Sequence, residues 1–285
     1  MTALRFSPVS LVLVGILSVQ LGAAIAKGLF EEIPPVGMVA LRVVTSSVIL
    51  LALARPRLTG RSLADWRPVL LLGLALGAMN WAIYESFSRI PLGVAVTIEF
   101  VGPLTVAAVG RRRPRDLIWV VLAAIGVLLF GAGPVEIDPL GIGLALVAGV
   151  CWGMYILSTA ATGRRWEGIE GLAVASTVAT LAVAPFAVAT AGTRLLEPRL
   201  LLLGAVVGLL SSVVPYSLEM IALRALSPRV FGILMSLEPA VAALVGAIVL
   251  REWLSPLQLL AMACVIAASV GATRTGSEQE PVARD

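Results

Sequence analysis

Apolar residues fill this chain in runs of about twenty, and charged or proline-rich breaks separate the runs. A helical run of about 20 apolar residues crosses the hydrocarbon layer of a membrane. The pattern therefore predicts an all-α membrane protein with ten transmembrane helices. We place them at 10–29, 34–54, 68–88, 91–110, 116–133, 139–160, 169–191, 199–222, 229–250 and 256–273.

Composition excludes several other classes of protein. Hydrophobic residues make up 59% of the chain and charged residues only 13%, whereas a soluble domain carries roughly a quarter. The chain has no histidine and two cysteines without metal-ligand spacing, which disfavours histidine-dependent proteases and relays. We expect no cofactor and no metal. The net charge of +4 comes from short basic clusters between apolar runs, so we expect no nucleic-acid partner.

The breaks alternate in charge along the chain. One set is rich in arginine: Arg55, Arg57, Arg61 and Arg67, then Arg111, Arg112, Arg113 and Arg115, then Arg164 and Arg165, then Arg224 and Arg229. The other set is acidic or mixed. Arginine-rich loops stay on the cytoplasmic side, so both termini are predicted to be cytoplasmic.

The two halves of the chain repeat each other. Leu70-Leu71-Leu72-Gly73 in the third span is matched by Leu201-Leu202-Leu203-Gly204 in the eighth, and the next spans share a proline, a glutamate and a second proline. Five spans per half place the halves in opposite orientations, as in many secondary transporters with a midplane binding site. We predict repeats at 8–134 and 138–274 and a disordered cytoplasmic tail at 275–285.

Polar residues inside apolar spans are the candidate functional residues, because an ionised group in hydrocarbon costs about 2.5–3.5 kcal/mol or more. The candidates for substrate binding are Gln20, Lys27, Arg42, Asn80, Tyr84, Glu99, Trp152, Tyr155, Tyr216 and Glu238. The candidates for proton coupling are Glu99, Glu219 and Glu238. Pro103 and Pro239 are expected to break their helices and free backbone carbonyls. Lys27 could instead extend to water, and the aromatic residues could be ordinary packing.

Several stretches resemble a known family. They are residues 18–27, Leu41-Arg42, residues 91–95, residues 99–104, residues 151–158 and residues 235–240. On these the chain resembles the EamA-type transporters of the drug/metabolite transporter superfamily, and within them the bacterial threonine/homoserine exporters. The resemblance covers about residues 10–273. It implies two inverted EamA repeats, an inner-membrane location and export of neutral amino acids driven by an ion gradient.

A zwitterionic cargo would need a cation for its carboxylate, either Lys27 or Arg42, and an anion for its ammonium, among Glu99, Glu219 and Glu238. A neutral group such as Gln20, Asn80 or Tyr155 would bind a hydroxyl. Proton antiport with alternating access is the expected mechanism, and the sequence leaves the coupling ion and the oligomeric state open. The alternatives are an exporter of drugs or other metabolites, a membrane-embedded enzyme, and the permease of an ATP-driven importer. The chain contains no Walker motif, and an importer would need a separate ATPase.

Overall fold

The computed structural model of the protein describes residues 7–109, 117–131, 137–223 and 225–275. Within these ranges every regular element is helical. The α-helices are α1 (Pro8–Gly28), α2 (Pro35–Ala54), α3 (Leu63–Phe87), α4 (Leu92–Glu99), α5 (Val101–Val109), α6 (Leu117–Gly131), α7 (Pro139–Gly163), α8 (Glu170–Ala191), α9 (Pro198–Gly208), α10 (Val214–Leu223), α11 (Pro228–Met235), α12 (Glu238–Val245) and α13 (Pro256–Thr275). A 3-10 turn spans Gly192–Leu196, and π-helical turns span Leu209–Val213 and Gly246–Leu250.

Eight helical segments in the described ranges are long and apolar enough to cross a membrane. Two shorter apolar helices, Leu92–Val106 and Leu117–Phe130, coincide with the fourth and fifth predicted spans. The all-helical membrane fold is therefore confirmed for the described residues. The count of ten spans and the cytoplasmic termini stay predictions. Arg111 to Arg115, Arg224 and the tail beyond residue 275 lie outside the described residues.

Polar caps fix where several helices begin. Ser7 accepts a hydrogen bond from the Ser10 N–H at 3.1 Å before α1. Ser62 and Asp65 form a reciprocal capping box at the start of α3. Asp138 accepts from the Leu140 N–H at 2.8 Å before α7. Each side chain satisfies a backbone donor that the first helical turn leaves without a partner.

Contacts between loops define two ends of the bundle. At one end, which we call the basic end, Arg61 forms an ion pair with Glu170 at 2.9 Å and Arg165 forms one with Asp65 at 3.2 Å. These contacts join the α2–α3 and α7–α8 loops. At the opposite end, ion pairs join Lys27 to Glu252, Arg89 to Asp138 and Arg199 to Glu32. The connections joined by these ion pairs lie at two ends of the bundle, arginine-rich ones at the basic end and acidic or mixed ones at the opposite end.

Close helix packing depends on glycines that leave room for a neighbouring backbone. A Cβ atom on Gly102 in α5 would clash with the carbonyl oxygen of Gly149 in α7. The glycines of the repeated Leu-Leu-Leu-Gly motif pack in a reciprocal way. Gly73 of α3 lies against Val178 of α8, and Gly204 of α9 lies against Leu41 of α2. Small residues at such contacts let membrane helices approach closely.

Candidate functional site

A cavity of about 490 Å³ lies inside the bundle and is lined by residues from both halves of the chain. That volume falls within the range of small-molecule sites, about 300–1,000 Å³. Its polar and charged lining residues are Gln20, Arg42, Asn80, Tyr84, Glu99, Tyr155, Ser211, Tyr216, Glu219, Glu238, Ser269 and Thr273. Most of the remaining lining residues are apolar or aromatic. The arrangement is a pocket with a few polar groups converging on one space.

The structure brings together nearly all of the residues singled out from the sequence. The cavity is lined by nine of the ten proposed substrate-binding residues, namely Gln20, Arg42, Asn80, Tyr84, Glu99, Trp152, Tyr155, Tyr216 and Glu238. Glu219 and Pro103 line it as well. Pro239 is buried at the first turn of α12, directly after Glu238. Lys27 is the exception, because it does not lie among the lining residues.

Lys27 binds other parts of the protein at the opposite end. Its Nζ lies 2.5 Å from Oε1 of Glu252 and donates to the carbonyl of Ile90 at 2.8 Å. The other carboxylate oxygen of Glu252 accepts from the Leu92 N–H at 2.7 Å. These contacts, which we call the Lys27–Glu252 junction, join the end of α1, the α3–α4 turn and the segment that leads to α13. Lys27 is therefore paired within the protein and lies apart from the cavity.

The π-helical turn at Leu209–Val213 has a clear cause in the sequence. Pro215 has no N–H, so it cannot bond the carbonyl of Ser211 four residues earlier. The Val214 N–H bonds the carbonyl of Leu209, which leaves the carbonyl of Leu210 free as well. Two side chains from elsewhere satisfy these oxygens: Ser18 donates to Leu210 O at 2.7 Å and Arg42 Nη2 donates to Ser211 O at 3.0 Å.

Arg42 is held in the cavity wall by neutral groups. Besides its bond to Ser211 O, its Nη1 donates to the Tyr84 hydroxyl at 3.2 Å, and its guanidinium carbon lies 5.5 Å from the centre of the Tyr84 ring. In the described part of the chain Arg42 forms no ion pair, and it is the one cationic residue that lines the cavity. A guanidinium has five N–H donors, so donors remain for an anion in the cavity.

The carboxylates Glu99 and Glu238 lie at breaks in their helices. Glu99 is the last residue of α4, before α5 and its Pro103, while Glu238 begins α12 after a break that follows Met235. Pro103 cannot donate to the carbonyl of Glu99, and a Cβ on Gly149 would lie 2.7 Å from that oxygen. Glu238 Oε2 is buried and has no hydrogen-bond partner among the described residues. Neither carboxylate forms an ion pair there, and the same holds for Glu219.

The neutral candidates differ in how much of their bonding capacity is free. Asn80 Nδ2 donates to the carbonyl of Leu76 at 2.8 Å within its own helix. Gln20 is buried, and its Oε1 has no partner in the described part of the structure. An unpaired buried carbonyl oxygen costs free energy until it meets a donor. Gln20 Oε1 and Ser211 Oγ are accordingly the neutral groups of the lining residues that lack a partner in the described part of the structure.

Comparison with known proteins shows the family to which the chain belongs. The sequence is 42% identical to the threonine/homoserine exporter RhtA of Escherichia coli strain K12, over 96% of this chain and 94% of that protein. It is 43% identical to the RhtA exporter of Salmonella typhimurium strain LT2, over 94% and 92%. The profile of the EamA-like transporter family matches residues 139–274.

The chain belongs to the EamA-like transporter family. Its helical bundle and its relatives make it a multi-pass protein of the bacterial inner membrane, and those relatives are named transporters and not enzymes. A more distant relative, the uncharacterized inner membrane transporter YedA of E. coli strain K12, is 27% identical over 84% of this chain and 82% of its own. A solved crystal structure at 18% identity shares the fold, with a TM-score of 0.59 over 95% of this chain and 99% of that one.

Some lining residues of this EamA transporter were missed from the sequence. Ser211, Ser269 and Thr273 are small hydroxyl residues in apolar helices, and nothing distinguishes them from the other serines and threonines of the chain. One feature of the sequence points to Ser211: it lies four residues before Pro215, which has no N–H, so the Ser211 carbonyl must accept a hydrogen bond from another donor. Phe231 and Met235 read as ordinary apolar residues, although they line the cavity.

Proposed function

We propose that this EamA transporter exports small neutral amino acids of the threonine and homoserine type from the cytoplasm. One observation carries the proposal: the cavity contains an arginine without an ionic partner and three carboxylates, and the structure pairs none of these charges within the described residues. An uncompensated charge buried in a protein is costly. A zwitterion supplies the missing carboxylate and ammonium together. The 42% identity to a named threonine/homoserine exporter supports the same cargo class.

The contacts suggest a role for each group. Arg42 binds the carboxylate of the cargo, since Lys27 already pairs with Glu252. The ammonium binds among Glu99, Glu219 and Glu238. Gln20 accepts a hydrogen bond from the cargo hydroxyl, because its Oε1 lacks a partner. Trp152, which stacks edge to face on Phe100 with ring centres 5.5 Å apart, closes the apolar wall of the cavity.

Charge balance favours coupling to protons. Three carboxylates face one arginine in the lining, and a zwitterionic cargo adds no net charge. When the cargo leaves, the carboxylates lose the ammonium that bound them, and a proton takes its place with the least change in volume. Intramembrane carboxylates commonly form proton paths. The proposed mechanism is therefore antiport, in which protons enter the cell as the amino acid leaves.

Ten spans in two inverted repeats, with alternating access to the cavity, complete the proposal. Reciprocal packing supports the repeats: α3 contacts α7 as α10 contacts α1, and α3 contacts α8 as α9 contacts α2. Phe231 and Thr273, near the start of α11 and the end of α13, line the cavity toward the basic end. The Lys27–Glu252 junction joins segments of both halves at the opposite end. In this proposal cargo enters from the basic end while the junction keeps the other end closed.

Counterflow in liposomes tests the cargo. Vesicles loaded with unlabelled threonine should accumulate labelled threonine and homoserine through the purified protein without ATP, while Arg42→Gln should accumulate little. Cationic dyes and drugs serve as the competing cargo class. Accumulation of dyes with no amino-acid counterflow would refute the amino-acid proposal and favour a drug exporter of the same family.

A further inference from the structure

The arginine that faces the cavity depends on a proline that does not line it. Arg42 Nη2 donates to the carbonyl of Ser211 at 3.0 Å, and residue 215, a proline without an N–H, does not compete for that oxygen. An ordinary residue at 215 would donate to Ser211 O or Leu210 O within its own helix. π-helical turns often occur at functional sites, and this one presents its free oxygen at the cavity wall.

We propose that Pro215 is a positioning residue for cargo binding, because the helix break it causes holds the Arg42 guanidinium at the carboxylate site. This inference rests on the proposed function for the role of Arg42. The turn acts as a fixed acceptor on one side of the guanidinium, and the Tyr84 hydroxyl is the acceptor on another. With both acceptors in place, Arg42 is fixed in the cavity lining and keeps further N–H donors for an anion. Without the Ser211 acceptor the long side chain regains its rotamer freedom.

The neighbouring contact on the same turn provides an internal comparison. Ser18 donates to Leu210 O at 2.7 Å, so it supports the turn without touching Arg42. A Ser18→Ala variant removes one hydrogen bond from the turn and leaves Arg42 its acceptor. Pro185 gives a second comparison, since it lies in the interior of α8 and does not line the cavity.

The experiment compares threonine flux in liposomes for the wild type, Pro215→Ala, Ser18→Ala and Pro185→Ala. We expect Pro215→Ala to raise the half-saturating threonine concentration about tenfold with little change in maximal rate, the effect of one charged hydrogen bond. The two comparison variants should change it less than twofold. A double-mutant cycle of Pro215→Ala with Arg42→Lys should be clearly non-additive, since both changes act on the same guanidinium. Additive effects, or an unchanged half-saturating concentration, would overturn the proposal.

A second readout does not depend on the cargo. A 1,2-dicarbonyl reagent modifies accessible guanidinium groups, and the modified Arg42 can be quantified by mass spectrometry in the purified protein. Release of Arg42 from Ser211 O should raise its labelling rate in Pro215→Ala but not in Pro185→Ala. Equal rates would contradict the positioning role even if threonine proved not to be the cargo. Should Pro215→Ala misfold, Pro215→Val restores the same N–H and tests the same point.

Discussion

Lys27 and Glu252 meet 2.5 Å apart at the end of the bundle opposite the basic loops, although they belong to different halves of the chain. Their side chains are only 17% and 18% exposed. Arg251, the residue before Glu252, has a left-handed backbone with φ 59° and ends the π-helical turn Gly246–Leu250. The pair therefore joins the two halves at the end that would have to open under the proposed alternating-access mechanism.

Weakening this pair should open the opposite end more often. With Cys151 and Cys264 replaced by serine, Ala23→Cys places a single thiol on the cavity wall. Adding Lys27→Met should raise its rate of modification by an impermeant thiol reagent from the periplasm about fivefold, which corresponds to about 1 kcal/mol. The charge exchange Lys27→Glu with Glu252→Lys should restore only part of the protection, because it rebuilds the ion pair but loses the bonds to the Ile90 carbonyl and the Leu92 N–H. An unchanged rate in Lys27→Met would show that the pair does not control access.

Arg42 should be needed for binding any cargo that carries a carboxylate. In Arg42→Gln we expect the half-saturating threonine concentration to rise about 10- to 100-fold, because a charge-assisted hydrogen bond contributes about 1.5–3 kcal/mol. Arg67→Gln removes an exposed arginine from the first turns of α3 and should leave flux unchanged. Similar losses in both variants would indicate a general electrostatic effect and not a binding site.

Gln20 should set the preference for a hydroxylated side chain. Threonine and valine have nearly the same shape, and a site that hydrogen-bonds a hydroxyl discriminates against the analogue without one. We expect Gln20→Leu to reduce the threonine-to-valine ratio of transport efficiency about tenfold, while Asn80→Ala should affect both cargoes alike because Asn80 bonds its own helix. Competition assays with labelled threonine measure both ratios. A preserved ratio in Gln20→Leu would assign the hydroxyl to another residue.

The Gly102–Gly149 contact should be sensitive to a single methyl group. Gly102→Ala would bring a Cβ into a clash with the carbonyl oxygen of Gly149, whereas a Cβ on Gly143 of α7 would meet nothing within 4 Å. Overpacking of this kind costs about 1–3 kcal/mol, so Gly102→Ala should lower the thermal unfolding midpoint in detergent. Gly143→Ala is the matched control and should unfold near the wild-type temperature. Equal unfolding midpoints for Gly102→Ala and the wild type would contradict this prediction, because they would mean that α5 and α7 move apart at little cost to accommodate the methyl group.

The sequence predicted the helices well because a membrane span leaves a long and simple signal. The nearly uniform apolar runs fall on the observed helices, and Pro103 and Pro239 lie beside the breaks at Phe100 and before Glu238. Helical spacing and the family resemblance also predicted most of the polar residues that line the cavity. A polar residue in an apolar span is costly unless it faces another polar group or a cavity.

Pairing between distant segments could not be predicted in the same way. Lys27 and Arg42 looked equally suited to a carboxylate, and only the fold brings Glu252 to Lys27 and Ser211 O to Arg42. Ser211 was missed because its role lies in a backbone carbonyl, which every residue has. Pro215, four residues later, leaves that carbonyl without its helical donor, and this could be seen in the sequence. That Arg42 would be the donor could not.

The central claim is proton-coupled export of an amino acid through this cavity, and efflux under an imposed pH gradient tests it most directly. Liposomes preloaded with labelled threonine are diluted into a more acidic buffer, with Glu238→Gln, Glu99→Gln and Glu31→Gln, a change in the α1–α2 loop, run alongside. We predict that the gradient accelerates efflux in the wild type and in Glu31→Gln, and that the acceleration is lost in at least one cavity variant. Threonine efflux that ignores the gradient in the wild type, or no efflux at all from folded protein, would contradict the account.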